Sequence, residues 1–573
     1  VRFTRHPDDR IPSLSESRSG GAQALTLSPA DAKSKLAKVR GSWPDFDPLD
    51  ARLAIHATPP ERLLAEFAPE QLALPKHALA KHSLREIRDL PLRRELVDRD
   101  NRYWLHFPAT VQLSGRDIPA AYVDHHAAHA ASSYYQSGLQ GAMVLTFDGG
   151  DRHDRSSGAY LAFDNVIVPL VMPGMWIGTF YDAVAARVYA GCDAGKLMGL
   201  APYGRPAFFL DEFIGGSREL GHDYGQPIAN AWLTRALATA AREGYDLSAL
   251  GNRAMALAPI NADLAASAHK TFEENVLATI DAIKPLADRA AALVGGTIEG
   301  LCMSGGCALS CPTNTRAALT GLFPRVFVAP SCDDSGLSLG GALWSYHNLL
   351  DRPLIKRNAA YPLTPYLGVS YGAETVQSAL AAQGSAVHFE SPRSAGAAAA
   401  HDLAAGKIIG WYEGRSELGP RALGHRSILC DPRSKENWPR VNLIKSREVW
   451  RPFAPAVLEE DAAGWFKDMP LPSPYMLFTG DVIAPEALAA ITHVDGSARV
   501  QTVTAECGIF YDVLREFRSL TQCPVVMNTS LNGPGEPIVE TPIQALQFFL
   551  KSELDVLYLD GYRVTKASST SSP

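Results

Sequence analysis

Three stretches of this chain repeat one pattern: a short apolar run, a turn rich in glycine or aspartate, then a segment able to begin a helix. Ala142-Met143-Val144-Leu145-Thr146-Phe147 runs into Asp148-Gly149-Gly150-Asp151, and Leu301-Cys302-Met303 into Ser304-Gly305-Gly306 with a helix expected around Thr313–Leu322. Val326-Phe327-Val328 runs into Cys332-Asp333-Asp334-Ser335-Gly336, with a helix expected through Leu339–Leu349. Apolar runs of this length between turn residues read as buried strands. Helical periodicity marks Pro60–Leu74 and Leu84–Val97, and Ala-rich helical stretches cover Ile228–Leu250 and Asp263–Leu286. Between Asp351 and Pro365 the pattern loosens into Arg-Pro-Leu and Tyr-Pro-Leu, a linker. Beyond it, Lys407–Tyr412 and Asp555–Leu559 are strand-like and are expected to frame a second domain, while the Ser/Thr-rich tail Lys566–Pro573 is expected to be disordered. The expectation is an α/β chain of two domains, 1–355 and 356–573.

Composition narrows the class. With 573 residues, 46% hydrophobic and 20% charged, the chain has globular proportions and enough length for two cores. A net charge of -7 gives no support for a nucleic-acid partner. No apolar run is long enough to cross a bilayer, and Val1–His6 lacks a secretory apolar core, so the expected location is cytoplasmic and the expected partners exclude membrane. The eight cysteines are expected to be reduced and mostly buried.

The residues with chemical promise start at Val123-Asp124-His125-His126-Ala127-Ala128-His129. His125 and His129 lie four apart at an expected helix start, which stacks both imidazoles on one face where they can share a cation. Capping or packing explains an isolated His-x-x-x-His equally well. Asp148 and Asp334 sit in the acidic turns, where a carboxylate serves to hold a cation or water. The glycines of the turns would let backbone amides approach phosphate oxygens, although any one Gly-Gly is usually only a turn. Arg415, Arg421, Arg426, Lys445, Arg447 and Arg451 fall within a short span beside Trp450, Pro452 and Phe453. Partial burial among these neighbours would leave the cations costly without an anionic ligand; the alternative is a solvated basic face.

The run 123–135, Gly195-Lys196-Leu197-Met198-Gly199-Leu200-Ala201-Pro202-Tyr203-Gly204, Ser304-Gly305-Gly306, and the segments 414–427, 442–455 and 528–533 together resemble the NodU/CmcH family of O-carbamoyltransferases over nearly the whole chain. The resemblance implies an actin/Hsp70/sugar-kinase-like (TsaD-like) two-lobed domain followed by a YrdC-like domain. It implies that carbamoyl phosphate and ATP, with Mg, form carbamoyl adenylate, whose carbamoyl group passes to a hydroxyl of a small natural-product acceptor. On this resemblance Lys445, Arg447, Arg451, Arg415, Arg421, Arg499 and Asn528 would hold carbamoyl phosphate and the adenylate. Gly149, Gly150, Lys196, Gly305, Gly306 and Asp333 would hold the nucleotide. His125, His129, Asp148 and Asp334 would bind Fe(II) or another divalent metal, a shell whose two imidazoles and carboxylates suit iron but also zinc or manganese. Lys445, Arg447, Asp148 and, as a local base, His126 are the catalytic candidates. The aromatic segments 173–181 and 208–224 are candidate acceptor walls, with core packing as the alternative. Arg2-Phe3-Thr4-Arg5 matches a segment that follows a first strand and turn in the family, so that unit, with its candidate histidine base, is expected to be missing. If the chain self-associates, a homodimer is expected. Two rivals share the fold: a carbamoyl-adenylate enzyme of the tRNA-modifying or hydrogenase-maturing type, disfavoured by the acidic charge and the lack of any Cys-x-x-Cys, and a nucleotide-binding regulatory protein without transfer activity.

Overall fold

The computed structural model describes residues 2–5, 23–26, 106–113, 116–149, 157–171, 175–189, 191, 193–214, 225–293, 296–350, 352–354 and 364–567. The two helices expected before residue 100, most of the expected linker, the tail beyond 567, Gly150 and Cys192 lie outside these residues.

The strands β1 (Arg2–Arg5), β2 (Gln23–Thr26), β3 (His106–Leu113) and β4 (Arg116–Val123) form an antiparallel sheet in the order β2-β1-β3-β4. β4 leads through Asp124 into the helix His125–Ser137, whose start is fixed where the Asp124 carboxylate accepts from Ala127 N at 3.1 Å. Next come β5 (Gly141–Phe147), β6 (Ser157–Phe163), β7 (Val166–Val171), β8 (Gly300–Ser304) and β9 (Val326–Val328), in the order β7-β6-β5-β8-β9. β5, β6 and β7 are an antiparallel meander, whereas β5, β8 and β9 run parallel. β5 and β8 are buried along their whole length, as parallel strands covered on both faces must be.

The three turns picked out by the apolar pattern therefore emerge at the same, C-terminal edge of three neighbouring parallel strands. Helix boundaries moved by a few residues. The third expected helix is a short helix Leu337–Leu343 continued by a wider π turn, Trp344–Leu349, and the Ala-rich helix spans Gly225–Arg242, stopping before Gly244 at φ +79°. The long helix Pro259–Leu293 packs on the helices Ile177–Tyr189 and Ala194–Leu200, reaches β6, and carries the expected Asp263–Leu286 stretch.

The second unit is built on a ten-stranded mixed sheet. Its strands are β10 (Val387–Glu390), β11 (Ile409–Tyr412), β12 (Arg426–Cys430), β13 (Ala454–Leu458), β14 (Phe466–Lys467), β15 (Phe478–Val482), β16 (Ser497–Val503), β17 (Val525–Ser530), β18 (Val556–Leu559) and β19 (Tyr562–Lys566). They are ordered β10-β19-β18-β11-β12-β17-β13-β16-β15-β14. β11 and β18 do not frame this unit: they are parallel neighbours inside it, because both are apolar on every residue and need cover on both faces. Leu423, Trp450, Ala454 and Tyr475–Phe478 belong to the same apolar cluster as the first unit's Trp176, Phe180 and Leu200, so the units share a packed seam.

Candidate functional site

The first two turns of His125–Ser137 carry both histidines toward the C-terminal edge of β5, β8 and β9. His125 Nε2 and His129 Nε2 each lie 3.1 Å from Asp148 Oδ2 and 3.2 Å from each other. Asp334 Oδ1 completes the group at 3.7 Å from His125 and 3.3 Å from His129, and the four ligand atoms lie within 4.8 Å of one another. Alanines make this approach possible. Gly340 of the Leu337–Leu343 helix rests against the backbone of Ala128, where a Cβ would strike the Ala128 carbonyl.

Electron pairs from two imidazoles and two carboxylates converge on one point, which needs a proton or a cation to be stable. Burial would raise the Asp148 carboxyl, yet hydrogen bonds from His125 and His129 hold it far below the carboxylate range. Burial would lower His129, and its bonds to Asp148 and Asp334 overcome this and raise it. The donor set, two nitrogens and two carboxylate oxygens with His125 and Asp334 partly exposed, fits a divalent cation with open positions. His129 Nδ1 faces Ser304 Oγ at 3.5 Å, and that hydroxyl donates to Cys332 O at 3.1 Å, which leaves its lone pair for Nδ1–H and frees Nε2 as a ligand.

Other expected residues sit differently. His126 is buried with Nδ1 3.0 Å from Thr146 Oγ1, outside the group of converging atoms. Gly305 N–H is donated to Cys332 O at 2.7 Å, so its amide is committed to the neighbouring turn that follows β9. A Cβ on Gly305 would strike Phe147 O and one on Gly306 would lie 2.9 Å from Asp148 Oδ1; both glycines let this turn close over the end of β5. Gly149 N–H binds Asp148 Oδ1 at 2.7 Å and Asp333 Oδ1 accepts from Ser335 N at 3.2 Å. Lys196 reaches the second unit, with Nζ 3.0 Å from Glu448 Oε1 and 3.4 Å from Asp193 Oδ2. Trp176, Phe180 and Phe208 from the aromatic segments are core residues.

The second constellation is a cavity of about 260 Å³ at the seam, lined by Arg421, Arg447, Arg451, Arg499 and Asn528 on one side and by Gly195, Met198 and Gly199 on the other. Asp495 is the acidic residue among its described lining. The Nε of Arg421, the Nε of Arg499 and Oδ1 of Asn528 are buried without a hydrogen-bond partner. Burial together with Arg451 and Arg499 pushes Arg447 down to about 9, and burial together with Arg421 pushes Arg499 down to about 10. Lys445 lies behind the wall, its Nζ within 2.7–3.2 Å of four oxygens of Ser530 and Asn532. Burial, Arg447 and Arg451 bring it down to about 7. Such a gathering of like charges is costly unless an anion enters. Arg415 stands apart, exposed and 3.4 Å from Gly368 O, and Arg426 is bound up inside the sheet by the carbonyls of Glu413, Gly414 and His425. Ser304 and Glu448 escaped sequence reasoning, because nothing in their spacing reveals the partner across the fold.

A cation-ready cluster at the strand ends and an anion-ready cavity at the seam are the equipment of a group-transfer enzyme. Residues 107–343 match the family model described as carbamoyltransferase N-terminus and residues 400–566 the one described as carbamoyltransferase C-terminus. The chain belongs to the carbamoyltransferase family, of the NodU/CmcH type, and is a transferase of the carbamoyl group. The nodulation protein NolO of Bradyrhizobium diazoefficiens is 34% identical over 466 residues, 78% of this chain and 79% of the relative. Nodulation protein NolNO of Sinorhizobium fredii is 35% identical over 460 residues, 78% of this chain and 64% of the relative. The 3'-hydroxymethylcephem-O-carbamoyltransferase of Streptomyces clavuligerus is 37% identical over 240 residues, 42% of this chain and 43% of the relative.

Proposed function

We propose that this protein is an ATP-dependent O-carbamoyltransferase acting on a hydroxyl of a natural-product acceptor, with a TsaD-like domain over 1–355 and a YrdC-like domain over 356–573. The order β7-β6-β5-β8-β9, a meander followed by two parallel crossovers, supports the first assignment. The observation that carries the activity is the arginine-lined cavity: four guanidiniums face a space able to take the phosphates of carbamoyl phosphate and ATP. There Arg421, Arg447, Arg451 and Arg499 neutralise the two anions, and Lys445 supports the Ser530–Asn532 segment beside them. Carbamoyl phosphate, ATP and one water become carbamoyl adenylate, phosphate and pyrophosphate.

At the strand ends His125, His129, Asp148 and Asp334 would hold Fe(II) or another divalent cation. A bound cation would supply Lewis-acid stabilisation of charge on the departing phosphate. His129 is oriented for this by Ser304, and the absence of a side chain on Gly306 lets its turn lie close against Asp148. The acceptor alcohol attacks the carbamoyl carbon, the bond to the phosphate oxygen breaks, and carbamate ester, AMP and a proton result.

The testing experiment supplies ATP with Mg, carbamoyl phosphate, Fe(II) and a panel of hydroxylated metabolites. AMP should form only when both small substrates are present, and one acceptor should gain a single carbamoyl unit by mass. ATP binding without carbamoyl-phosphate-dependent AMP release would favour a regulatory protein instead.

A further inference from the structure

Four guanidiniums in one small cavity repel each other, so something has to keep each from swinging out. For Arg421 the restraint lies in its backbone. The segment after it is tied through nearly every polar group. The amides of Leu423, His425 and Arg426 all donate to one atom, Glu417 Oε1, at 2.7, 2.8 and 3.1 Å. The Ala422 carbonyl accepts from Asn528 Nδ2 at 3.3 Å, and the Leu423 carbonyl from Tyr366 Oη at 3.0 Å and Gln501 Nε2 at 2.7 Å. Gly419 and Gly424 flank the loop at φ +100° and +108°, and a Cβ on either would strike Pro330 O or the Phe510 ring. A single oxygen accepting three N–H groups is a task for an ionised carboxylate, since charge strengthens each bond.

Resting on the reading of the cavity as the carbamoyl-phosphate site, we propose that Glu417 is a positioning residue for that substrate: it gathers the 421–426 backbone so that Arg421 is presented to the phosphate against the repulsion of Arg447, Arg451 and Arg499. Glu417 touches no substrate; it acts through Arg421. A glutamine in its place keeps one oxygen but loses the charge, and puts an amide where Oε2 is buried without a partner. The loop then loosens and Arg421 withdraws.

The test measures carbamoyl-phosphate-dependent exchange of pyrophosphate into ATP on the full chain. Absence of exchange in the unsubstituted protein would defeat the reading of the cavity, separately from the role of Glu417. Given exchange, Glu417→Gln should raise KM for carbamoyl phosphate by about tenfold or more with kcat within about threefold, and Glu417→Asp, which keeps the charge on a shorter arm, should fall between. Combined with Arg421→Ala, Glu417→Gln should add little to the KM of Arg421→Ala alone, because both remove one presented guanidinium. A KM unchanged or lowered in both folded Glu417 variants, or effects that multiply in the double variant, overturns the proposal. Should Glu417→Gln not fold, as judged by circular dichroism, the Asp variant and its combination with Arg421→Ala decide alone.

Discussion

The two constellations treat charge in opposite ways. Around Asp148 one carboxylate oxygen, Oδ2, faces both imidazole nitrogens at 3.1 Å and Asp334 Oδ1 stands 3.3 Å from His129, so opposite partners meet within the group and a metal would replace protons. Around Arg499 positive groups face one another across about 260 Å³, and guanidinium nitrogens remain unsatisfied. The first is a site stable before its ligand arrives; the second is in deficit until an anion fills it. That difference predicts where substitutions act. Removing a ligand from the balanced cluster exposes the remaining ones and damages the step performed there, whereas removing a cation from the crowded cavity relieves repulsion in the empty protein and damages anion binding alone.

The sharpest break of the comparison is a pair of variants assayed for both half-reactions. Lys445→Ala removes the ammonium that ties Ser530 to Asn532 and should depress pyrophosphate exchange by about 10²–10³-fold, the scale for losing one preorganised electrostatic group. His125→Ala should leave exchange within about twofold while stopping carbamoyl transfer, since His125 belongs to the other constellation. If His125→Ala blocked exchange as severely as Lys445→Ala, the division into two sites would be wrong. Next in size is Ser304→Ala. Its hydroxyl orients His129, so its loss should weaken Fe(II), zinc or manganese binding by about 10–100-fold in calorimetric titration, with the lower end favoured by the long 3.5 Å contact. Exchange should not change.

Much of this was legible in the chain. Apolar runs ending in Gly/Asp turns placed Asp148, Gly305 and Asp334 at strand ends, and the i, i+4 spacing put His125 and His129 on one face; the fold then brought His125, His129, Asp148 and Asp334 together. Parallel strands explain why: neighbouring parallel strands deliver their following turns to one edge. What stayed hidden depends on non-local approach. His126 is adjacent in sequence to His125, but a helix rotates it toward Thr146, and Lys196, read beside the glycine turns, crosses the seam to Glu448. β11 and β18 look alike as apolar runs, and nothing local in either distinguishes the rim of a sheet from its interior. The basic span 415–451 was uniform to the eye, yet Arg415 is exposed and Arg426 is satisfied inside the sheet while Arg447 lines the cavity.

The crowding of the cavity also sharpens into a pH dependence. Burial, then Arg447 and Arg451, bring the Lys445 amine to about 7 in the empty protein. Below that pH it carries its proton and helps bind an anion; above it the proton must be taken up on binding, which costs affinity. The dissociation constant for sulfate, whose charge does not change over this range, should therefore rise by up to about tenfold per pH unit above about 7, and flatten below it. Lys445→Met should remove the slope. A slope that survives in this variant would assign the titration to another group.

The smallest effect tests whether the two regions are truly separate. Lys196 stands on the first unit, its Nζ 3.0 Å from Glu448 Oε1, and Glu448 in turn lies 3.9 Å from Arg451 of the cavity. Both side chains are largely shielded, 21% and 26% exposed, so the pair is worth more than a freely solvated one yet remains within reach of water. Burial would raise the Glu448 carboxyl, but a backbone hydrogen bond and Lys196 bring it below its ordinary value of 4.5. A depressed carboxyl stabilises the fold above its unfolded pKa and ceases to do so as pH falls through the folded one. Lys196→Met should thus cost about 1 kcal/mol or less in urea unfolding at pH 7, a cost that shrinks as pH falls below 4.5 and Glu448 takes up its proton. Its effect on exchange should be slight, because Lys196 spends its charge on Glu448 and not on the cavity. If Lys196→Met instead reduced exchange as far as Lys445→Ala, the first unit would be supplying a cation to the anion site, and the contrast between a balanced cluster and a separate crowded cavity would have to give way to one composite site spanning the seam.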